Sequence, residues 1–182
     1  MPAKSLLPIL LVPAGILLIP LTATLLKWEG WHWGPGSFVV AWGLLTGVGL
    51  AYRFVTRQAT GRSFQAATAL ALATALALVW INGAVGFIGS EDNPANLLYG
   101  GVLAVGLAGA VLARLKPSGL ARALLATALA QLLVPVVALV FWPDDFSPGL
   151  IPVFGANLLF ALSFAVSGWL FRRAAGKPAC PG

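Results

Sequence analysis

What most constrains this chain is a series of six long apolar runs separated by short polar or charged connections. They cover residues 6–26, 38–52, 64–88, 97–113, 120–142 and 150–171. A bilayer hydrocarbon core about 30 Å thick needs about 20 apolar residues at a helical rise of about 1.5 Å per residue. The second run is the shortest, and its apolar character starts near Gly34. We therefore expect an all-α, polytopic transmembrane helical bundle of about six spans. It would form a single transmembrane domain over 1–182, with spans near 6–26, 35–53, 64–88, 96–114, 120–142 and 150–171.

Two local patterns compete with this reading. Between Ala69 and Leu78 alanine nearly alternates with leucine, the period of a strand. Both members of the alternation are apolar, however, and an unbroken run over 64–88 far exceeds a barrel strand of about 9 to 11 residues. Inside lipid an open strand would leave its amides unbonded, so helix is expected. The first run follows Lys4 and could pass for a secretory signal. It is longer than a signal core of about 7 to 15 residues. No clear small-residue cleavage site follows it, and Pro8, Pro13 and Pro20 suit a packed span.

Charge excludes other classes. Hydrophobic residues make up 59% of the chain and charged residues 9%, against about 25% charged in an ordinary soluble domain. The net charge of +6 would suit a nucleic-acid binder only if the cations shared one polar face. They stand instead at the ends of the apolar runs, so no nucleic-acid partner is expected. Cys180 is the only cysteine and His32 the only histidine. Neither an intramolecular disulfide nor a metal site of the usual Cys and His type is expected, and no cofactor.

The distribution of charge also orients the chain. With the amino terminus inside, cytoplasmic segments carry Lys4, then Arg53, Arg57 and Arg62, then Arg114, Lys116 and Arg122, then Arg172, Arg173 and Lys177. All the acids, Glu29, Glu91, Asp92, Asp144 and Asp145, fall on the opposite side with Lys27. Since a missed span would reverse every later assignment, this alternation supports the span count and predicts a bacterial inner-membrane protein with both termini cytoplasmic. Trp28, Trp31, Trp33, Trp42, Trp80, Tyr99 and Trp142 lie toward the outer face, and Tyr52 and Trp169 toward the inner one. Interfacial anchoring accounts for such aromatics.

Helices in lipid associate through close contact at small residues. Gly43 with Gly47, then Ala69, Ala73 and Ala77, then Gly106 with Ala110, are candidate seams. The third and fourth runs form one hairpin and the fifth and sixth another, each with two adjacent acids at its outer tip, which raises a duplicated unit as an alternative.

The most distinctive stretch is 82–101, NGAVGFIGSEDNPANLLYGG. Asn93 is placed to cap the fourth span, with Pro94 at its first position, where a missing amide hydrogen costs nothing. Glu91 and Asp92 precede the positive helix end, where negative charge is favoured. Ser147 and Pro148 repeat the pattern before the sixth span. Asn93, Pro94 and Ala95 also spell the aquaporin triplet. That family uses two such triplets on half-helices meeting at mid-membrane, whereas this chain has one, at a loop, so a water channel is not expected.

Asn82, Gln131 and Asn157 are the notable polar groups within the runs. At about 1.5 Å per residue, Asn82 and Asn157 lie roughly 10 Å below the outer end and Gln131 near the middle. Such groups usually bond another helix. The functional alternative is an outer cavity or loop site formed by Asn82, Glu91, Asp92, Asn93, Asn96 and Asn157. No Asp, Glu, Lys or His interrupts the middle of a span, which disfavours a proton-driven pump. The paired carboxylates show no opposed catalytic geometry, so no catalytic residue is assigned and the chain is not expected to be an enzyme.

The stretch 82–101, continued by VLAVG over 102–106 and by ARALLATALAQ over 121–131, resembles an uncharacterised family of small polytopic bacterial inner-membrane proteins. The resemblance spans the third to fifth runs. It implies a bacterial envelope protein and supplies no activity, cofactor or site residue. Two functions follow as expectations. One is a non-enzymatic membrane subunit that packs in the bilayer with itself or with another membrane protein. The other is a small carrier or channel whose acidic outer vestibule admits cations or polar solutes.

Overall fold

A computed structural model describes residues 7–28, 33–57, 61–146 and 149–176. Lys4, Glu29, Trp31, His32, Ser147, Pro148, Lys177 and Cys180 lie outside the described residues. The described residues form six α-helices and no strand: α1 (Leu7–Leu25), α2 (Pro35–Thr56), α3 (Arg62–Ala84), α4 (Leu98–Leu112), α5 (Pro117–Phe141) and α6 (Leu150–Ala175). A 3-10 turn over Pro94–Leu97 runs into α4, and a second, Pro143–Asp145, follows α5. Five of the helical stretches, α2, α3, Pro94–Leu112, α5 and α6, are long and apolar enough to cross a membrane, and within α1 the stretch Ile9–Leu25 forms a shorter apolar helix. The fold is an all-α polytopic membrane bundle, and the Ala and Leu alternation lies inside α3.

Helix ends follow local chemistry. α3 stops short of the apolar run because Gly86 has φ +71°, a left-handed conformation open mainly to glycine. Pro117 opens α5 three residues before its apolar run, a position where proline needs no hydrogen-bond donor. α6 continues past its apolar run and carries Arg172 and Arg173 in its last turn, where cations meet the negative helix end. The Arg173 guanidinium lies 3.7 Å over the Trp169 ring.

The chain divides into two compact units, Met1–Phe54 and Val55–Gly182. In the first, α1 approaches α2 at Gly49, where a Cβ would come within 3.0 Å of Ile9 Cγ2. Gly43 and Gly47 of α2 are exposed, and a Cβ on either would meet nothing within 4 Å.

In the second unit, α5 packs against both α4 and α6, and α6 against α3, whereas α3 and α4 touch only slightly. Glycine sets the close approaches. A Cβ on Gly109 would lie 2.6 Å from Ala123 Cβ, and one on Gly168 would lie 3.1 Å from the Ala121 carbonyl oxygen. Ser167 Oγ donates to the Ala67 carbonyl at 2.7 Å, and the Phe64 and Phe171 rings meet edge to face at 5.1 Å. Together these contacts gather the start of α3, the α4–α5 turn and the end of α6 at one end of the unit.

The small-residue seams separate into inward and outward ones. Gly106 faces Thr127, whose Oγ1 would lie 3.1 Å from a Cβ there, so this seam serves packing within the unit. Ala69 and Ala73 of α3 are exposed. A further stripe on α4, Gly100, Ala104 and Ala108, is exposed along its length; sequence reasoning passed over it in favour of Gly106.

Charge is polarised between the two ends of this unit. Arg62, Arg114, Lys116, Arg122, Arg172 and Arg173 lie at one end, and Glu91, Asp92, Asp144 and Asp145 in the connections at the other.

Candidate functional site

Two linked polar clusters occupy the acidic half of the second unit. The first is the connection from α3 to α4. Gly86 and Gly89, with φ +71° and +69°, turn the chain sharply enough for Phe87 and Ile88 to fold inward between them. Phe87 is 8% exposed and Ile88 0%. Phe87 fills the space between two helices, its ring centroid 4.8 Å from that of Tyr99 on α4 and 5.4 Å from that of Phe160 on α6. An apolar segment can be buried this way only if its backbone is bonded.

Asn96 supplies those bonds. Its Oδ1 accepts from the amides of Phe87 and Ile88, both at 3.1 Å. Its Nδ2 donates to the carbonyls of Ile88 at 3.1 Å and Ser90 at 2.7 Å. One buried amide thus substitutes for a ladder of backbone bonds. Asn82 Nδ2 reaches the Asn96 backbone carbonyl at 3.2 Å, while Asn82 Oδ1 is enclosed without a partner. Gly86 is required here, since a Cβ would fall 2.6 Å from the Ser90 carbonyl oxygen and 2.8 Å from Asn96 Nδ2.

Asn93 has two tasks. Its Oδ1 accepts from the Ala95 amide at 2.9 Å, capping the 3-10 turn that Pro94 opens. Its Nδ2 donates to Asp145 Oδ2 at 2.9 Å, tying this connection to the one between α5 and α6. The Asn93, Pro94 and Ala95 triplet is therefore a capped turn in a loop. Glu91, Asp92 and Asp144 are exposed beside it.

The second cluster lies deeper. Asn157 on α6 is fully buried. Its Nδ2 donates to the Val153 carbonyl at 2.8 Å and to the Tyr99 hydroxyl at 3.0 Å, and its Oδ1 accepts from Gln131 Nε2 at 2.9 Å. Three helices, α4, α5 and α6, are joined through one side chain. In hydrocarbon such interhelical bonds are worth about 0.6 to 2 kcal/mol.

Of the residues singled out by sequence, the structure brings Asn82 to Asn96, Asn93 to Asp145, and Asn157 to Gln131. Asn157 is fully buried, so it does not stand with Asn82 on an open wall. Tyr99, Phe87 and Ser167 were missed as site residues. Tyr99 stands three positions after Asn96, on the same helical face, and that spacing was the available signal. Among the described residues no three His, Cys, Asp or Glu side chains come together as metal ligands. The chemistry on offer is hydrogen bonding by amides and a phenol, with the Asp145 carboxylate as one acceptor. No family model, curated protein or solved structure matches the chain.

Proposed function

We propose that this chain is a non-enzymatic subunit of a bacterial inner membrane, packing in the bilayer with a second copy or with other membrane helices. The observation that carries this reading is the contrast between filled and open small-residue faces. Within the second unit Gly106, Gly109 and Gly168 are met by neighbouring helices, whereas Gly100 meets nothing of that unit within 4 Å of a Cβ, and Gly43 and Gly47 meet nothing of the first unit. Small residues on an open face let another helix approach closely, the main source of helix association where lipid is as apolar as the side chains. The polar groups fit the same role: both Asn157 amide hydrogens and its oxygen are held by protein partners, which favours crosslinking helices over binding solute.

Association is tested by measuring the mass of gently extracted protein with Ala104→Leu, and separately with Gly43→Leu. A shift to smaller complexes with unchanged thermal stability is expected for at least one of them. A wild-type protein that is strictly monomeric, with nothing co-purifying, would remove the proposal.

The orientation, with both termini cytoplasmic, is supported by the charge polarity of the second unit, cations being retained on the cytoplasmic side. Single cysteines at Arg57 and Asp144, introduced after Cys180→Ser, should react with impermeant reagents from opposite sides of the membrane. Labelling of both from one side would reverse the assignment.

A further inference from the structure

The hydrogen bonds around Asn157 leave the acceptor Gln131 Oε1 without a donor, and leave a hydrogen to give on the Tyr99 hydroxyl as well as the second one on Gln131 Nε2. Val153 lies one helical turn before Asn157, and its carbonyl takes an Asn157 amide hydrogen at 2.8 Å. Rotating the Asn157 amide by half a turn would set two oxygens against each other, so its Nδ2 must face Val153 and Tyr99. Its Oδ1 must then face Gln131, which can answer only with Nε2, at 2.9 Å. Gln131 Oε1 consequently has no donor, and the residue is 0% exposed. Tyr99 accepts from Asn157 at 3.0 Å, and a phenol that accepts still has its own hydrogen to give.

An enclosed amide oxygen without a donor is costly where no bulk water can reach it. Gln131 with its spare acceptor and Tyr99 with its spare hydrogen flank the same Asn157 amide. We propose that Gln131 Oε1 and the Tyr99 hydroxyl hold a single internal water molecule, which donates to Gln131 and accepts from Tyr99. Buried waters in proteins make 2 to 4 such bonds to otherwise unsatisfied polar groups. A cation fits this arrangement poorly, because hard cations need several oxygens and the Tyr99 hydrogen would oppose it. Gln131 and Asn157 are both fully buried, and Phe87 packs beside the site between Tyr99 and Phe160, so the water exchanges slowly with bulk.

The test uses the full chain in deuterated detergent. Direct cross-relaxation between water and the Gln131 side-chain amide protons is measured in both laboratory and rotating frames, which separates a long-lived contact from chemical exchange. A persistent water contact is expected in the wild type, weakened at least threefold by Tyr99→Phe, which removes the donor and leaves the apolar ring. Absence of any water contact at Gln131 in the folded wild type would overturn the proposal, as would a contact of undiminished strength in folded Tyr99→Phe. If Tyr99→Phe does not fold, the wild-type measurement decides alone.

Discussion

The α3–α4 and α5–α6 connections sit at the same end of the second unit and carry two adjacent acids each, yet their helices are held by different means. α5 and α6 pack extensively on each other. Gly168 brings the α6 backbone against α5 near the Ala121 carbonyl, and the described residues of the loop between them form a 3-10 turn, with the Phe146 ring stacked 6.4 Å from Phe154. α3 and α4 hardly touch, and each leans on a different helix. Their connection is instead a folded object, with two inward apolar residues and a buried amide making four bonds to its backbone. Close packing spreads stability along a helix pair, whereas a polar keystone concentrates it at one residue. The two hairpins should therefore fail differently.

The largest effect is expected from Asn96→Ala. It strips the partners from the Phe87 and Ile88 amides and from the Ile88 and Ser90 carbonyls. Leaving one such buried group unsatisfied costs about 1 to 3 kcal/mol, so partial relaxation of the loop should still leave a loss of about 3 kcal/mol. Reversible unfolding in detergent measures the total. Amide hydrogen exchange should show protection lost over residues 86–93 while α5 and α6 stay protected. Uniform loss of protection across both hairpins would mean that the keystone is not local.

Gly168→Leu should invert that pattern at about 2 kcal/mol, a typical cost of forcing extra volume into a packed seam. Its Cβ would lie 3.1 Å from the Ala121 carbonyl oxygen, a backbone atom that cannot swing aside, and 3.5 Å from Leu124 Cβ. Exchange should rise along α5 and α6 and remain slow at Phe87 and Ile88. Stability within about 0.5 kcal/mol of wild type would show that the α5–α6 contact has slack.

How much of this could be read in advance depends on the range of the interaction responsible. The helices were legible because lipid demands internally bonded, apolar segments, a demand met residue by residue. Asn93 as a cap was legible too, since its bond to Ala95 spans two positions. The role of Asn96 was not. It was singled out only as one polar residue of a loop, because its effect depends on Gly86 and Gly89 both turning left-handed and folding Phe87 inward. Gly106 with Ala110 and Gly100 with Ala104 have the same i, i+4 spacing, and only the position of α5 decides which faces inward. Tyr99 read as an interfacial aromatic for the same reason: its bond to Asn157 crosses 58 residues of sequence. The charge alternation needed no contact information, which is why it anticipated the polarity of the second unit.

The smallest effect concerns the bond between the two connections. Asn93 Nδ2 donates to Asp145 Oδ2 at 2.9 Å, and Gly89 gives the pair room, since a Cβ there would lie 2.8 Å from Asn93 Nδ2 and 3.3 Å from the Asp145 carbonyl oxygen. The bond is only half-buried, so although its acceptor is charged its worth should be near the low end for hydrogen bonds, about 0.5 to 1 kcal/mol. Two substitutions separate the latch from the cap. Asn93→Ser keeps an oxygen for the Ala95 amide and deletes the donor to Asp145. Asn93→Asp keeps the capping oxygen but sets two carboxylates against each other, so it should cost more than the serine, and Asp145→Asn in the same chain should recover most of the difference. A double-mutant cycle over Asn93→Ser and Asp145→Ala should give a coupling of about 0.5 to 1 kcal/mol. Additivity within about 0.3 kcal/mol would mean that the two connections stand independently of each other.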